Sequence, residues 1–312
     1  MAGLTRYLVF RIGRALATAV FVVSLVFVII RAAPGDPVDA MLGDQASPED
    51  RALVRKQLHL DEPLPEQYGR FWSRVLDGTL GASFRAPDKN VRDLLVAAVP
   101  HTARLAFWSL AVAWFFGIPV GVLSASRQGT WLDRVASVVA VSGLALPTIW
   151  LGPLLILAFS VKLQWLPFPG DAVGTIRALI LPAITVGLSL TASLTRQTRA
   201  AMIEALGQPY VMAARARGLS SLKVLFKHAL RNALLPVITV GAAQITALLS
   251  GAVIAEKIFE RPGLGTLFFE AFLARDLPVV QGVILLVGMV YVSVNFALDL
   301  TYALVDPRVR LS

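Results

Sequence analysis

RQTRAAMIEALGQPYVMAARARGLSSLKVLFKHALRNALLP, Arg196 to Pro236, is a basic stretch set between apolar runs. Arg196, Arg199, Arg215, Arg217, Lys223, Lys227 and Arg231 stand in it with one acid, Glu204. The flanking runs are too long for core strands, so the stretch is expected to stand out from a membrane as a charged hairpin. Gly207-Gln208-Pro209 breaks the preceding helix, and Pro209 suits a first helical turn, where its missing N–H is not needed. Gly218 suits the position just past a helix end. Tyr210 to Arg217 is therefore predicted as a helix of about two turns, far below the roughly 12–15 residues that an isolated helix needs. Something else must hold it. Ala213, Ala214 and Ala216 keep it slim, and Arg215 and Arg217 offset the negative end of its dipole.

Ser220 reads as the N-cap of a second helix. Leu222, Leu225, Phe226, Ala229, Leu230 and Ala233 follow at helical period, with Lys223, Lys227 and Arg231 beside them. Two readings stay open: an amphipathic helix lying on anionic headgroups, or a helix that fills a socket in a cytoplasmic protein.

The composition sets the class. Hydrophobic residues make up 56% of the chain and charged residues only 16%, which is not the balance of a soluble domain. The net charge of +9 is dispersed, unlike a nucleic-acid-binding arm. Cysteine is absent, which excludes disulfides, thiolate metal sites and cysteine nucleophiles.

Arg6, Arg11 and Arg14 precede an apolar run, Ala15 to Ile30. A signal peptide is one reading; the length of the run and the poor cleavage site at Ala32-Ala33-Pro34 favour an uncleaved first span with its N-terminus inside. Residues 32–99 form a polar interlude. Ser47-Pro48-Glu49-Asp50 signals a helix start. Pro65 opens a second pattern, with Tyr68, Phe71, Trp72, Val75 and Leu76 on one face and Gly78 as the stop. Asn90 and Asp93 suggest a third short helix. This cap is too small for a full core of its own, so it is expected to rest on the membrane part or on a partner. Five further spans follow: Leu105–Leu123, Val135–Val161 interrupted by Pro147 and Pro153, Ala178–Thr195, Leu234–Ile258 and Val279–Leu304. Leu267, Phe268 and Phe272 suggest a short amphipathic helix between the last two. Basic residues at the N-terminus, at Arg127 and Arg134, in the hairpin and at Arg308 and Arg310 place both chain ends inside.

Asp299, one turn after Asn295, is a functional candidate because an acid at membrane depth is costly. Alternatively it pairs near the cytoplasmic end with an arginine of another helix, with Arg196 and Arg199 as candidates. Glu256 and Lys257 read as the outer interface of the fifth span. Gln244, Thr246 and Ser250 recur at helical spacing; they line a polar translocation path, together with Asn295, or bond a neighbouring helix. No catalytic or metal-binding constellation is legible. His59, His101 and His228 are scattered, and the Gly-x-x-x-x-Gly-Lys-Ser/Thr phosphate loop is absent. Three functions compete: a transport subunit driven by separate ATPases, an ion-coupled secondary transporter, and an intramembrane enzyme. The secondary transporter wants paired intramembrane charges and related halves, and the enzyme wants residues that the chain lacks.

The run YVMAARARGLSSLKVLFKHALRNALLP, Tyr210 to Pro236, resembles the EAA loop of permease subunits in binding-protein-dependent ABC importers, most of all the B-type subunit of the dipeptide, oligopeptide and nickel branch. PGDP at Pro34–Pro37, LPTIWLG at Leu146–Gly152, FSVKLQWLP at Phe159–Pro167, RPGLG at Arg261–Gly265, PVVQG at Pro278–Gly282 and DPRVR at Asp306–Arg310 extend the resemblance over nearly the whole chain. Met212, Pro209 and Arg231 depart from the usual residues of the loop. The resemblance implies an all-α membrane protein with six transmembrane helices, the type I ABC importer permease fold, and a small helical extracytoplasmic domain between helices 1 and 2. Residues 1–31 would be the N-terminal segment and first helix, 32–98 the cap, and 99–312 a five-helix core with its cytoplasmic EAA/coupling loop at 196–236. It implies a permease subunit of an ATP-driven importer in the cytoplasmic membrane of a bacterium or archaeon. Its implied partners are a second homologous permease, two ATP-binding subunits that hold ATP and Mg, an extracytoplasmic solute-binding protein and the lipid bilayer, with no nucleic acid. Tyr210, Ala213, Ala214, Arg215, Ala216, Arg217, Gly218 and Leu219 would be the ATPase-coupling segment. Relatives of this shape carry dipeptides, oligopeptides, nickel chelates, glutathione and opines.

Overall fold

Helices dominate because the apolar runs must satisfy their own backbone groups. The structure, a computed structural model, describes residues 2–32, 38, 42 and 47–305, with the side chains of 2–9, 30, 32, 57, 249–251 and 302–305 outside that description. The PGDP and DPRVR runs, the Arg6 and Ser250 side chains and the residues at 308 and 310 therefore lie outside the described residues. Two compact units are formed, Met1–His101 with Pro262–Ser312, and Thr102–Arg261.

In the first unit, α1 (Ala2–Ala32) opens the chain. Ser47 caps α2 (Pro48–Gln57), its hydroxyl accepting from the Asp50 N–H at 3.1 Å, with Pro48, Glu49 and Asp50 in the first turn. α3 (Leu64–Leu76) carries a proline in its first turn and stops at Gly78, whose φ of +74° is a left-handed conformation open to glycine. Phe27 of α1 meets Tyr68 edge-on at 5.2 Å and Phe71 at 5.6 Å, and the Ser24 and Tyr68 hydroxyls are 2.7 Å apart. α3 thus rests on the first apolar helix. Leu76 does not share that face. It is 79% exposed at the last residue of α3.

The third cap helix is not short. It begins at Val91 and continues as α4 (Val91–Ser126), so the predicted cap helix and second span are one rod. Pro100 is carried inside it; a proline removes one backbone bond, which an apolar helix tolerates. In the second unit, α5 (Trp131–Ala145) and α6 (Thr148–Leu155) are bent by 100° relative to one another. Leu146, ahead of Pro147, is extended (φ −82°, ψ 111°), the conformation that a following proline imposes. Pro153, the other predicted interruption, sits inside α6, and a π-helical stretch, Ile156–Lys162, follows. α7 (Arg177–Leu206) lies against α5, α6 and the later α9. α8 (Pro209–Ala216) forms the tip of the hairpin. Its return arm, Ser221–Lys223, passes through a π turn, Val224–Ala229, straight into α9 (Leu230–Ile258). In the first unit again, α10 (Leu264–Leu273) packs on α11 (Leu277–Val305), and α11 pairs with α1.

Among the described residues four helices are long and apolar enough to cross a membrane: Phe10–Ile29, Val91–Ser126, Arg177–Leu206 and Leu277–Thr301. The number rises to six if each bent pair, Trp131–Ala145 with Thr148–Lys162 and Ser221–Leu248 with Ala252–Ile258, is one span. Backbones in the second unit come close at small residues, as helices packed in lipid require. A Cβ on Gly121 would lie 2.6 Å from the Thr198 Cβ and 2.8 Å from the Thr195 carbonyl oxygen. Gly121→Leu is therefore expected to push α4 off α7 at a cost of about 1–3 kcal/mol. A fall of several degrees in the Tm of the detergent-purified protein, measured by fluorescence, would show it.

Candidate functional site: the anchored hairpin

Eight residues make α8, and their chemistry splits along its axis. Pro209 occupies the first turn after the extended Gln208. At the other end Gly218 takes φ +73°, the Leu219 N–H donates to the Ala214 carbonyl at 3.3 Å, and the Gly218 N–H to the Arg215 carbonyl at 2.9 Å. This pair of bonds is a Schellman motif, which satisfies carbonyls that the helix leaves open. Val211 and Ala214 are buried and join a core with Met202 and Ala205 of α7, Val224 and Ala229 of the π turn, and Ala233 and Val237 of α9; Leu219 packs on it. The short helix is thus held in part by its own chain, whereas the sequence reading looked outside the chain for its support.

The opposite side of the hairpin faces outward. Tyr210 is 39%, Met212 58%, Leu222 69% and Phe226 54% exposed, and Ala213, Arg215, Ala216 and Arg217 are exposed with them. The stripe read from the spacing is divided, with Ala229 and Ala233 buried and Leu222 and Phe226 exposed. The π turn sets which residues are buried from Val224 onward. It advances the buried face by five residues, from Val224 to Ala229, before the four-residue step to Ala233 resumes. Leu225 and Leu230 remain half-buried, while Leu222 and Phe226 turn out beside Lys223 and Lys227.

A second joint lies at the base of α7. The Asp133 carboxylate is buried and takes the Arg199 Nε at 2.6 Å and Nη2 at 2.9 Å, the Ser124 hydroxyl at 2.5 Å and the Gly129 N–H at 2.9 Å. Four donors fill it, so the turn from α4 to α5 is tied to the helix that carries the hairpin. Asp133 drew no notice in the sequence because a lone acid at a helix start reads as dipole compensation. Arg199 is therefore not the partner of Asp299. Arg11 of α1 donates to Asp299 of α11 instead.

The candidate path residues are divided between the two units. Gln244 is buried and donates from Nε2 to the Leu190 carbonyl of α7 at 2.8 Å, the helix-bonding alternative. The Thr246 hydroxyl bonds back to Ala242 of its own helix at 3.3 Å. Asn295, in the other unit, is exposed and bonds back to the Tyr291 carbonyl at 2.9 Å. Glu256 stands in the last turn of α9. It is fully buried and accepts from the Thr102 hydroxyl at 2.5 Å, and the Arg261 N–H donates to its backbone carbonyl at 2.8 Å. Arg261 is buried beside it. Desolvation pulls the guanidinium below its ordinary range, while the Glu256 charge opposes the shift.

Comparison with known proteins places this architecture. Residues 117–311 match the family described as binding-protein-dependent transport system inner membrane component, and residues 4–106 match its N-terminal companion. The chain is 37% identical over 313 residues to a putative peptide transport system permease protein of Brucella abortus, covering 98% of this chain and 99% of the relative. It is 38% identical over 327 residues to the di/tripeptide transport system permease protein DppB of Pseudomonas aeruginosa (96% and 97% covered). Identity is also 38%, over 296 residues, to the glutathione transport system permease protein GsiC of Escherichia coli (95% and 96% covered). Among solved structures, a chain of the MetNI methionine ABC transporter in an inward-facing conformation aligns with a TM-score of 0.58 at 21% identity, over 68% of this chain and 96% of that one, a likeness of fold.

Removing one side of the Asp133 joint leaves the other charge without its partner. Asp133→Ala and Arg199→Met are each expected to lower the Tm of the purified protein. The double variant should lose less than the sum of the two, with a coupling of roughly 0.5–3 kcal/mol in a double-mutant cycle.

Proposed function

The chain belongs to the family of binding-protein-dependent transport system inner membrane components, a multi-pass membrane permease and not the ATPase of its system, and from that premise we propose how it does its work. Its hairpin, 196–236, is the surface on which a cytoplasmic ATP-binding subunit docks, with Tyr210, Ala213, Ala214, Arg215, Ala216, Arg217, Gly218 and Leu219 as the coupling segment. The observation that carries this is the exposed face of Tyr210, Met212, Leu222 and Phe226, rimmed by Arg215, Arg217, Lys223 and Lys227 on an anchored hairpin. Large apolar side chains in a basic rim suit a protein partner with an apolar, acid-edged cleft. Ala214 and Leu219 act from below, as the seat of the segment, and Leu222 and Phe226 extend the docking face.

In this reading ATP-driven closure of two such subunits pushes the hairpin. The push enters α7 directly and α9 through the π turn, and the Asp133–Arg199 joint passes it to the α4–α5 turn. A second permease, like or identical to this one, completes the path, with Gln244, Thr246, Ser250 and Asn295 as candidate lining. Both chain ends lie in the cytoplasm, and the 32–98 cap with the 259–278 segment meets an extracytoplasmic solute-binding protein. The cargo is a small peptide-like solute, supported by the peptide, di/tripeptide and glutathione permeases among its relatives.

Gly218 tests the coupling. A valine there must adopt a left-handed backbone, at a cost of roughly 1–3 kcal/mol. No atom lies near its Cβ position, so the effect is conformational and not a clash. In proteoliposomes carrying the full transporter, Gly218→Val is expected to keep ATP hydrolysis but lose most solute uptake. Uptake per ATP equal to that of the unsubstituted protein would refute the coupling role.

A further inference from the structure

An apolar groove of about 650 Å3 runs through the second unit between α4, α5 and α7. Phe116 and Leu123 of α4, Val135 and Val139 of α5 and Leu188 of α7 supply its walls. One end carries a charge: Arg127 lines the groove where α4 gives way to α5. Among the described residues no carboxylate pairs with Arg127. The acid of that turn, Asp133, is filled by Arg199, Ser124 and Gly129.

The dimensions decide what fits. From Phe116 to Arg127, and from Leu132 to Gly143, the lining runs about 16 Å at roughly 1.5 Å per residue. That is about half of the ~30 Å hydrocarbon thickness, the depth of a single leaflet. A transmembrane helix of another subunit would need a groove about twice as long. The walls are those of a ligand pocket in volume and apolarity, with one polar anchor. The anchor is a guanidinium, which pairs with phosphate in two parallel bonds. Basic residues mark the cytoplasmic side of a membrane chain, the side on which anionic lipids are met.

We propose that this groove binds a phospholipid of the cytoplasmic leaflet, with an acyl chain along α5 and α7 and an anionic headgroup on Arg127. Thr195 also lines it, one turn from Arg199, so the lipid lies beside the joint between the α4–α5 turn and the helix that carries the hairpin. The site rests on the groove and Arg127 and does not depend on the docking role of the hairpin.

The test uses the full chain with the subunits that accompany it, placed in nanodiscs of equal phosphatidylglycerol and phosphatidylethanolamine and then washed in detergent. Retained lipid is weighed by mass spectrometry. Phosphatidylglycerol is expected to be retained several-fold over phosphatidylethanolamine. Arg127→Glu should abolish the preference, and Ala136→Trp, which fills the groove from α5, should lower the total lipid retained. Equal retention of the two lipids by the unsubstituted protein, or an Arg127→Glu protein that keeps the preference, would overturn the site. The chain has no cysteine, so a single Val139→Cys reports on the groove without a background from this chain. Cross-linking of that cysteine to another subunit would show a protein helix in the groove and refute a lipid. Cross-linking to a maleimide-bearing phospholipid, suppressed by Ala136→Trp, supports it. Should the tryptophan variant fail to fold, the Arg127→Glu comparison and the cysteine cross-link still decide.

Discussion

An eight-residue helix cannot persist in water on its own hydrogen bonds, and the tip of the basic hairpin is such a helix. Val211 and Ala214 resolve the problem. Sunk into a core shared by α7, the π turn and α9, they exchange the independence of α8 for rigidity. Displacing α8 therefore means displacing both helices behind it. The Schellman closure at Gly218 and the proline at the start fix its ends, and its outer face is left free for contact. A slender helix of alanines serves this arrangement well, because little side-chain bulk separates its backbone from whatever lies on either side.

The same economy recurs through the second unit. Gly121 against α7, Gly187 against α4 and Gly241 against Trp114 let helices approach more closely than side chains would permit. In lipid this packing replaces the hydrophobic drive that assembles a soluble core. Polar groups are then spent sparingly and in pairs. Asp133 with Arg199, Glu256 with Thr102 and Arg11 with Asp299 each join segments remote in sequence. In the first unit Asp276, buried at the entrance to α11, accepts from Ser83 and the Phe84 N–H and ties the cap to that helix in the same manner. Charges that would be costly alone act here as fasteners.

Much was legible in the residues. The breaks at Gly207–Pro209 and Gly218, the Ser47 cap, the stop at Gly78 and the apolar runs are local features, decided by backbone sterics and by the length needed to cross a bilayer. The family could be read from motifs in order along the chain, and the membrane permease reading followed from it. The candidate path was less legible, because Gln244, Thr246 and Asn295 look alike in sequence whether they meet a solute, another helix or their own backbone.

What the sequence determined by itself is the apolar runs, the local helix breaks and the short basic hairpin, all consequences of nearest-neighbour chemistry. What only the tertiary structure decided is which face of each segment is inside. The π turn at Val224–Ala229 set the buried side of the return arm at Val224, Ala229 and Ala233, since one extra residue per turn rotates every later side chain, and no periodicity count reports where that residue is inserted. The interruption at Pro147 was legible but its 100° bend was not, and Pro100 divided nothing, because a proline's effect depends on what packs around it. The partners of Asp133, Glu256 and Asp299 were likewise undetermined, for an ion pair or a buried hydrogen bond across many residues exists only once the chain has brought its two ends together.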